Sequence, residues 1–327
     1  MATRKRQSAR GGKPAAERLF HGSRIRANTY TARQRATIAE TIKPISAETA
    51  LADFGALRAR DHSRAAGLSR VGNNAVDRFT YGERLNTVGS KGINFYDLLF
   101  NKEVLREKRY VQNVLAFCER TDAVPQPVEK TWARIMSMYF GSVNIFRPLI
   151  AAKLYELFRP TCVLDPTMGW GGRLVGAMVL DVPKYIGIDS NLALKKPYRE
   201  MLKLLKPESK TRVSLKFQDA LDVNYEKLTY DMVLTSVPYY SVELYGGACS
   251  PYATKAEWDN MFYKPLFRRT FDGMAPGGYY CLNIPREIYE SACEPLFGVA
   301  HAAISFEKKP RPNSYAESIY VWKKPGG

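Results

Sequence analysis

Little in this sequence points outside the cell or into a membrane. Its five cysteines, Cys118, Cys162, Cys249, Cys281 and Cys293, are odd in number, scattered and never spaced as CxxC. That usage fits reduced thiols in a cytosolic or nuclear setting and not a disulfide scaffold. The three histidines are equally dispersed, which argues against zinc or another metal. No apolar run nears the roughly 18 residues of a membrane helix, and no signal-peptide core follows the start. A soluble, intracellular protein is expected. Acidic residues are also scarce, with 32 Asp and Glu against 49 Lys and Arg.

The resulting net charge of +17 is the strongest compositional signal. Residues 1–40 hold ten basic and two acidic side chains, nearly half of that excess. A basic protein of this size attracts polyanions, and nucleic acid is the commonest in a cell. The same acid-poor start also fits a targeting or import segment. Its few large apolar groups mark 1–40 as a basic arm expected to be disordered.

At 327 residues, 45% of them hydrophobic, the chain has room for about two domains. Helical spacing begins near Ile38 and runs to Arg60, a Gly/Asn-rich stretch from Gly67 to Asn74 interrupts it, and a second helical block starts at Phe95. Residues 41–140 are therefore read as a mostly helical accessory region for substrate recognition, and 141–327 as the catalytic domain. In the latter, Pro148 suits a first helical turn. Beyond it, β-rich runs at Cys162–Leu164, Tyr185–Ile188, Val213–Phe217, Met232–Thr235 and Tyr279–Ile284 alternate with helical stretches. That rhythm predicts an α/β fold with a mainly parallel sheet covered on both faces. The last two runs, Ala302–Phe306 and Ile319–Trp322, are joined by too short a link for a crossover helix and predict an antiparallel hairpin.

Ligands of such sheets bind at the carboxyl ends of the strands, beside the first βα turn. Here that turn reads Asp165-Pro166-Thr167-Met168-Gly169-Trp170-Gly171-Gly172-Arg173. The glycines let backbone approach a ligand. Neither GxGxxG nor GxxxxGK[ST] is present, which argues against dinucleotide and phosphate-loop sites. Asp165 is placed to face an amino-bearing ligand. The second run ends at Asp189, 24 positions after Asp165, where a carboxylate accepts from a ribose diol or caps a helix. The third ends near Asp219, where an adenine amino group could be met.

The fourth run ends Thr235-Ser236-Val237-Pro238-Tyr239-Tyr240. With the glycine turn, the Asp189 acid and the preceding Asn144-Ile145-Phe146-Arg147-Pro148, it resembles the amino-methyltransferases of nucleobases, whose fourth motif is [DNS]-P-P-[YFW]. The likeness covers most of 141–327 and is to DNA methylases of phages and large DNA viruses. It implies a Rossmann-like seven-stranded sheet with the last strand antiparallel, S-adenosyl-L-methionine as cofactor, and methylation of adenine N6 or cytosine N4. DNA is the favoured partner. RNA, including an mRNA cap, and a fold retained only for nucleic-acid binding are the alternatives.

The resemblance makes Ser236, Val237, Pro238 and Tyr239 the catalytic loop. The Ser236 side chain and Val237 carbonyl would accept from the target amine, and Tyr239 would stack on the flipped base. Val237 departs from the family proline, yet preceding Pro238 keeps it extended. Cofactor contacts fall on Asn144, Phe146, Asp165, Thr167, Gly169, Gly171, Arg173, Asp189 and Asp219. Arg173 would meet the cofactor carboxylate or form a surface salt bridge. Lys264, Arg268 and Arg269 are phosphate-contact candidates or a solvated helix face.

Overall fold

Strands apolar on both faces need cover on both faces, and the chain supplies it. The computed structural model describes residues 20, 24–62, 69–89, 91–141, 143–240, 243–244, 252–305 and 317–326. Helices at Ala32–Ile42, Ala47–Arg58 and Asn73–Leu85 come first, followed by the two-residue strand β1 (Val88–Gly89). Short helices follow at Phe95–Phe100 and Lys102–Leu105, then longer ones at Arg109–Thr121 and Val128–Ile135. The helix Pro148–Phe158 begins on its proline and leads into β2 (Cys162–Asp165), β3 (Lys184–Asp189), β4 (Arg212–Phe217) and β5 (Met232–Thr235). Strands β6 (Glu243–Leu244), β7 (Tyr279–Pro285), β8 (Ala302–Ile304) and β9 (Glu317–Lys323) complete the set.

Seven of these strands form one sheet in the order β4-β3-β2-β5-β7-β9-β8. All neighbours are parallel except β9, which runs against both β7 and β8. This is the Rossmann-like seven-stranded sheet that the methyltransferase resemblance implied, with the terminal hairpin where the short link required it. The link between β8 and β9 lies outside the described residues.

One apolar core fills one face of the sheet, under the helices Pro148–Phe158, Gly172–Val179 and Lys195–Leu205. A second fills the other face, under the helical chain 255–272 and residues 286–297. Both β2 and β5 are buried along their whole length between these layers.

The N-terminal third differs from the sequence reading in three ways. Residues 32–42 form a helix, capped by Thr31 and Gln34 in a reciprocal box, so the 1–40 arm ends in ordered structure. Residues 1–19 and 21–23 lie outside the described residues. The helix Asn73–Leu85 starts within the stretch read as an interruption, with Gly72 at φ +85° turning into it. Its polar sequence hides five buried residues, Ala75, Val76, Thr80 and the ion-paired Asp77 and Arg84. Most importantly, 41–140 is not one unit. Phe54, Leu57, Ala75 and Val76 belong to the core of the sheet, whereas residues 93–140 form a separate core with Ile38.

Leu57 tests this division because it is fully buried in the sheet-side core. Leu57→Ala should destabilise the sheet-bearing part of the chain by about 2–5 kcal/mol, the usual cost of a large core truncation. Denaturant unfolding read at a sheet-core tryptophan such as Trp322 would detect it. An unchanged midpoint at that probe would return the helix to the accessory region.

Candidate functional site

The sheet order reverses at β2, whose neighbours are β3 on one side and β5 on the other. The carboxyl ends of these strands open at such a switch point. The register sets Asp165 beside Gly187, so the turn after β2 lies against the tip of β3. That turn needs its glycines for different reasons. Gly171 takes φ +97° at the helix start, a region hostile to a Cβ. A Cβ on Gly172 would sit 1.8 Å from the Phe146 carbonyl oxygen, so the extended 143–147 segment crosses directly against the turn.

Asp165 is fully buried and does not face an open site. Its Oδ2 accepts from Arg173 Nε at 2.7 Å and the Tyr185 hydroxyl at 2.6 Å. Its Oδ1 accepts from Arg173 Nη2 at 3.1 Å and the Thr235 hydroxyl at 2.9 Å. Arg173, only 4% exposed, also donates to the Thr167 carbonyl, and its guanidinium lies 5.2 Å from the centre of the Phe146 ring. Burial opposes its charge, but the Asp165 carboxylate more than offsets this and holds the guanidinium protonated. The sequence directed Asp165 at a ligand amine and Arg173 at a ligand carboxylate or a surface partner. In the fold they are directed at each other, because both side chains are sealed beneath the glycine turn.

Asp189 stands at the tip of β3, half-buried. Its Oδ2 accepts from the Gly169 amide and its Oδ1 from the Asn191 amide, both at 2.8 Å. A carboxylate offers about four lone-pair sites, so two remain for a diol. Burial pushes its pKa up to about 6, against the lowering effect of the two amide bonds. Asp219 is exposed and caps the turn Ala220–Asp222 through the Leu221 amide. Asn144 is exposed on the crossing segment, and Phe146 is half-buried against the core.

The loop after β5 is joined directly to the glycine turn. The Thr167 hydroxyl lies 2.6 Å from that of Thr235 and 3.3 Å from the Ser236 carbonyl. With the Thr235 proton given to Asp165, Thr167 is the donor in the first of these bonds. Ser236 Oγ lies 3.1 Å from the Tyr239 hydroxyl and accepts from Asn283 Nδ2 at 3.1 Å. The Tyr239 hydroxyl donates to the Asn283 carbonyl at 3.1 Å, so Ser236 gives its proton to Tyr239 and keeps one free lone pair. Val237 is buried, while Pro238 and Tyr239 are half-buried. Tyr240 is buried as well and adopts φ +50°, an unfavourable region for a bulky residue.

One side chain holds that strained turn. The Tyr263 hydroxyl accepts from the Tyr240 amide at 2.8 Å and donates to the Pro238 carbonyl at 2.7 Å. Tyr263 ends a π-helical turn, Asp259–Tyr263, set between the helices Lys255–Trp258 and Lys264–Asp272. Such turns aim side chains that a regular helix would rotate away. Among the phosphate candidates on this chain, Arg269 is committed to the Leu221 and Val223 carbonyls, and Lys264 to Asn260.

Asn283, Thr235 and Tyr263 had not been singled out from sequence. Asn283 carried a signal, being the polar residue within an otherwise apolar strand, Tyr279–Pro285. Parallel register sets Thr235 beside Leu282, which brings Asn283 level with Ser236. Tyr263 carried none, since nothing in a helical sequence announces a π turn.

No family model matches the chain, and no curated protein does. Among solved structures, it is similar to a Listeria monocytogenes protein assigned as a class I S-adenosylmethionine-dependent methyltransferase. Identity is 15%, coverage is 86% of this chain and 89% of that one, and the TM-score is 0.44. A methyltransferase from Pyrococcus furiosus gives 16%, 65% and 98%, at 0.40. An RNA methyltransferase from Salinibacter ruber, in complex with S-adenosyl-L-homocysteine, gives 14%, 56% and 94%, at 0.35.

Replacing Tyr263 by Phe removes both bonds to the loop while keeping the ring. The buried Tyr240 amide is then left unpaired, at a cost on the order of 1–3 kcal/mol, and the half-buried Pro238 carbonyl loses its donor. Hydrogen exchange at the Tyr240 amide should accelerate while the amides of β5 keep their protection. Unchanged exchange at Tyr240 would show that the turn holds without Tyr263.

Proposed function

We propose that this chain is an S-adenosyl-L-methionine-dependent methyltransferase that modifies an exocyclic amine of a nucleobase, adenine N6 or cytosine N4, with DNA as the favoured substrate. The observation that carries this reading is the junction of the two loops. Thr167 in the glycine turn donates to Thr235, and its hydroxyl lies 3.3 Å from the Ser236 carbonyl at the head of the Ser236–Tyr239 loop. A cofactor over the first loop and an amine at the second would therefore be neighbours.

The residues at the strand tips suit the cofactor. Asp189 has two lone pairs left for ribose hydroxyls, and the Gly169 position is open, with no atom nearer to an added Cβ than 3.9 Å. Asp219 stands ready for an amino group, while Asp165 and Arg173 shape the turn from beneath. Bound there, S-adenosyl-L-methionine supplies an electrophilic sulfonium methyl.

On the substrate side, the free lone pair of Ser236 and the Val237 carbonyl accept from the target amine. Its nitrogen lone pair is otherwise delocalised into the base ring. Positioning and these two acceptors do the work. Tyr239, its hydroxyl tied to Asn283, offers a ring face held in place for a base taken out of the stack. The net charge of +17 supports a polyanionic substrate.

Transfer of labelled methyl to DNA, RNA and capped RNA, followed by nucleoside analysis, tests the reading. Labelled N6-methyladenine or N4-methylcytosine is expected in DNA, and no label in any nucleic acid would overturn it. Tyr239→Ala should lower turnover about tenfold or more, in line with about 1–3 kcal/mol of base stacking, while leaving cofactor affinity nearly intact.

Asp189 gives an independent test with a defined sign. Ribose hydroxyls bind the ionised carboxylate, and its folded pKa of about 6 lies well above the ordinary Asp value. Cofactor affinity should therefore fall as pH drops from 7 to 5, with protons released on binding near pH 6. Calorimetry in buffers of differing ionisation enthalpy would show this. Asp189→Ala should bind weakly at every pH, and a pH-dependent wild type matched by the variant would remove Asp189 from the ribose site.

A further inference from the structure

The basic arm accounts for about half of the net charge, and most of the rest is concentrated in one place. Residues 192–217, the unit joining β3 to β4, hold eight basic and two acidic side chains. Five of the eight lie on or just beyond the helix Lys195–Leu205: Lys195, Lys196, Arg199, Lys203 and Lys206, all exposed. At about 100° of rotation per residue they fall within an arc of roughly 100°. The opposite side carries Tyr198, Met201 and Leu205, all fully buried.

This clustering works against the helix. Lys195 and Arg199, and then Arg199 and Lys203, are like charges four residues apart, an arrangement that destabilises a helix. Among the described residues, only Lys196 of the five has a carboxylate within ion-pair distance, the exposed Glu200 at 3.8 Å. The stripe starts at the rim of the site. Its helix follows the tip of β3, and Lys195 Nζ lies 6.0 Å from the Phe217 ring at the end of β4.

We propose that this stripe is a second phosphate-binding surface, which grips the backbone of the nucleic-acid substrate beside the site. The proposal rests on the reading of the substrate as nucleic acid. An eleven-residue helix is about 16 Å long, enough to run past about five phosphates of one strand at roughly 3.4 Å each. A membrane surface is the poorer fit. An interfacial helix buries an apolar face in lipid, and the apolar face of this one is spent in the protein core.

The test uses the full chain carrying Lys196→Gln, Arg199→Gln and Lys203→Gln together, with a melting curve as the check on folding. Anisotropy of a labelled DNA duplex, and of a labelled RNA, is followed across about 50–200 mM salt. The triple variant should bind about tenfold more weakly at the low-salt end, and its log–log salt slope should fall by about 2–3, at about 0.9 per phosphate contact. Affinity for S-adenosyl-L-methionine should not change. Equal slopes and affinities in wild type and variant would overturn the proposal even if methyl transfer to nucleic acid is found. A lower slope without methyl transfer would uphold the surface and sink the enzymatic reading. Failure of wild type to bind either nucleic acid would overturn both.

Discussion

Everything at the site rests on a carboxylate and a guanidinium buried together. Asp165 ends β2, Arg173 lies in the first turn of the next helix, and the same carboxylate receives hydroxyls from β3 and β5. A buried ion pair costs desolvation, and it holds only when the remaining lone pairs and protons are satisfied. Here both carboxylate oxygens accept twice, and Arg173 spends a further N–H on the Thr167 carbonyl. Three strands, a helix and the glycine turn thus share one anchor. Removal of either charge would leave the other stranded in the core, a loss of about 3–5 kcal/mol.

From this anchor, order passes outward along hydroxyls. Thr235 carries it to Thr167 and so fixes the glycine turn against the loop that follows β5. That loop is held from two further directions. Asn283 on β7, whose Nδ2 lies within hydrogen-bond distance of Ser236, Tyr239 and Glu317 on β9, shares its two protons among them. Tyr263 holds the turn at Tyr240 from the opposite layer. The polar groups that face the site are therefore set by neighbours on rigid elements and not by the loops themselves, which is the arrangement that preorganised chemistry needs.

The sheet was legible in the sequence because its signals are local. Runs such as Met232–Thr235 are apolar without interruption, and the Gly169–Gly172 turn marks where the chain must bend. The positions of the strand-tip acids were legible for the same reason. Their partners were not, because Asp165 and Arg173 meet only through a helix start, and Asp165 and Thr235 are 70 positions apart. The division of the N-terminal third was hidden as well. The helix Asn73–Leu85 is largely polar, and three of its five buried residues, Asp77, Thr80 and Arg84, are polar or charged, so its place in the sheet's core depends on tertiary packing and not on apolar periodicity.

The ribbon of β1 with β6 is small, two residues paired with two, yet it closes a very long circuit. Val88 meets Leu244 and Gly89 meets Glu243, so about 150 residues lie between its halves, and so large a loop carries an entropic cost to close. Such a contact is a late event in folding, since sequence-distant pairings follow local ones. It also lies a few residues past Tyr240. During synthesis β1 thus has no partner strand until the whole stretch up to β6 has been made. The Ser236–Tyr239 loop also emerges before Tyr263 and Asn283, so on a partly made chain it stands without the side chains that hold it.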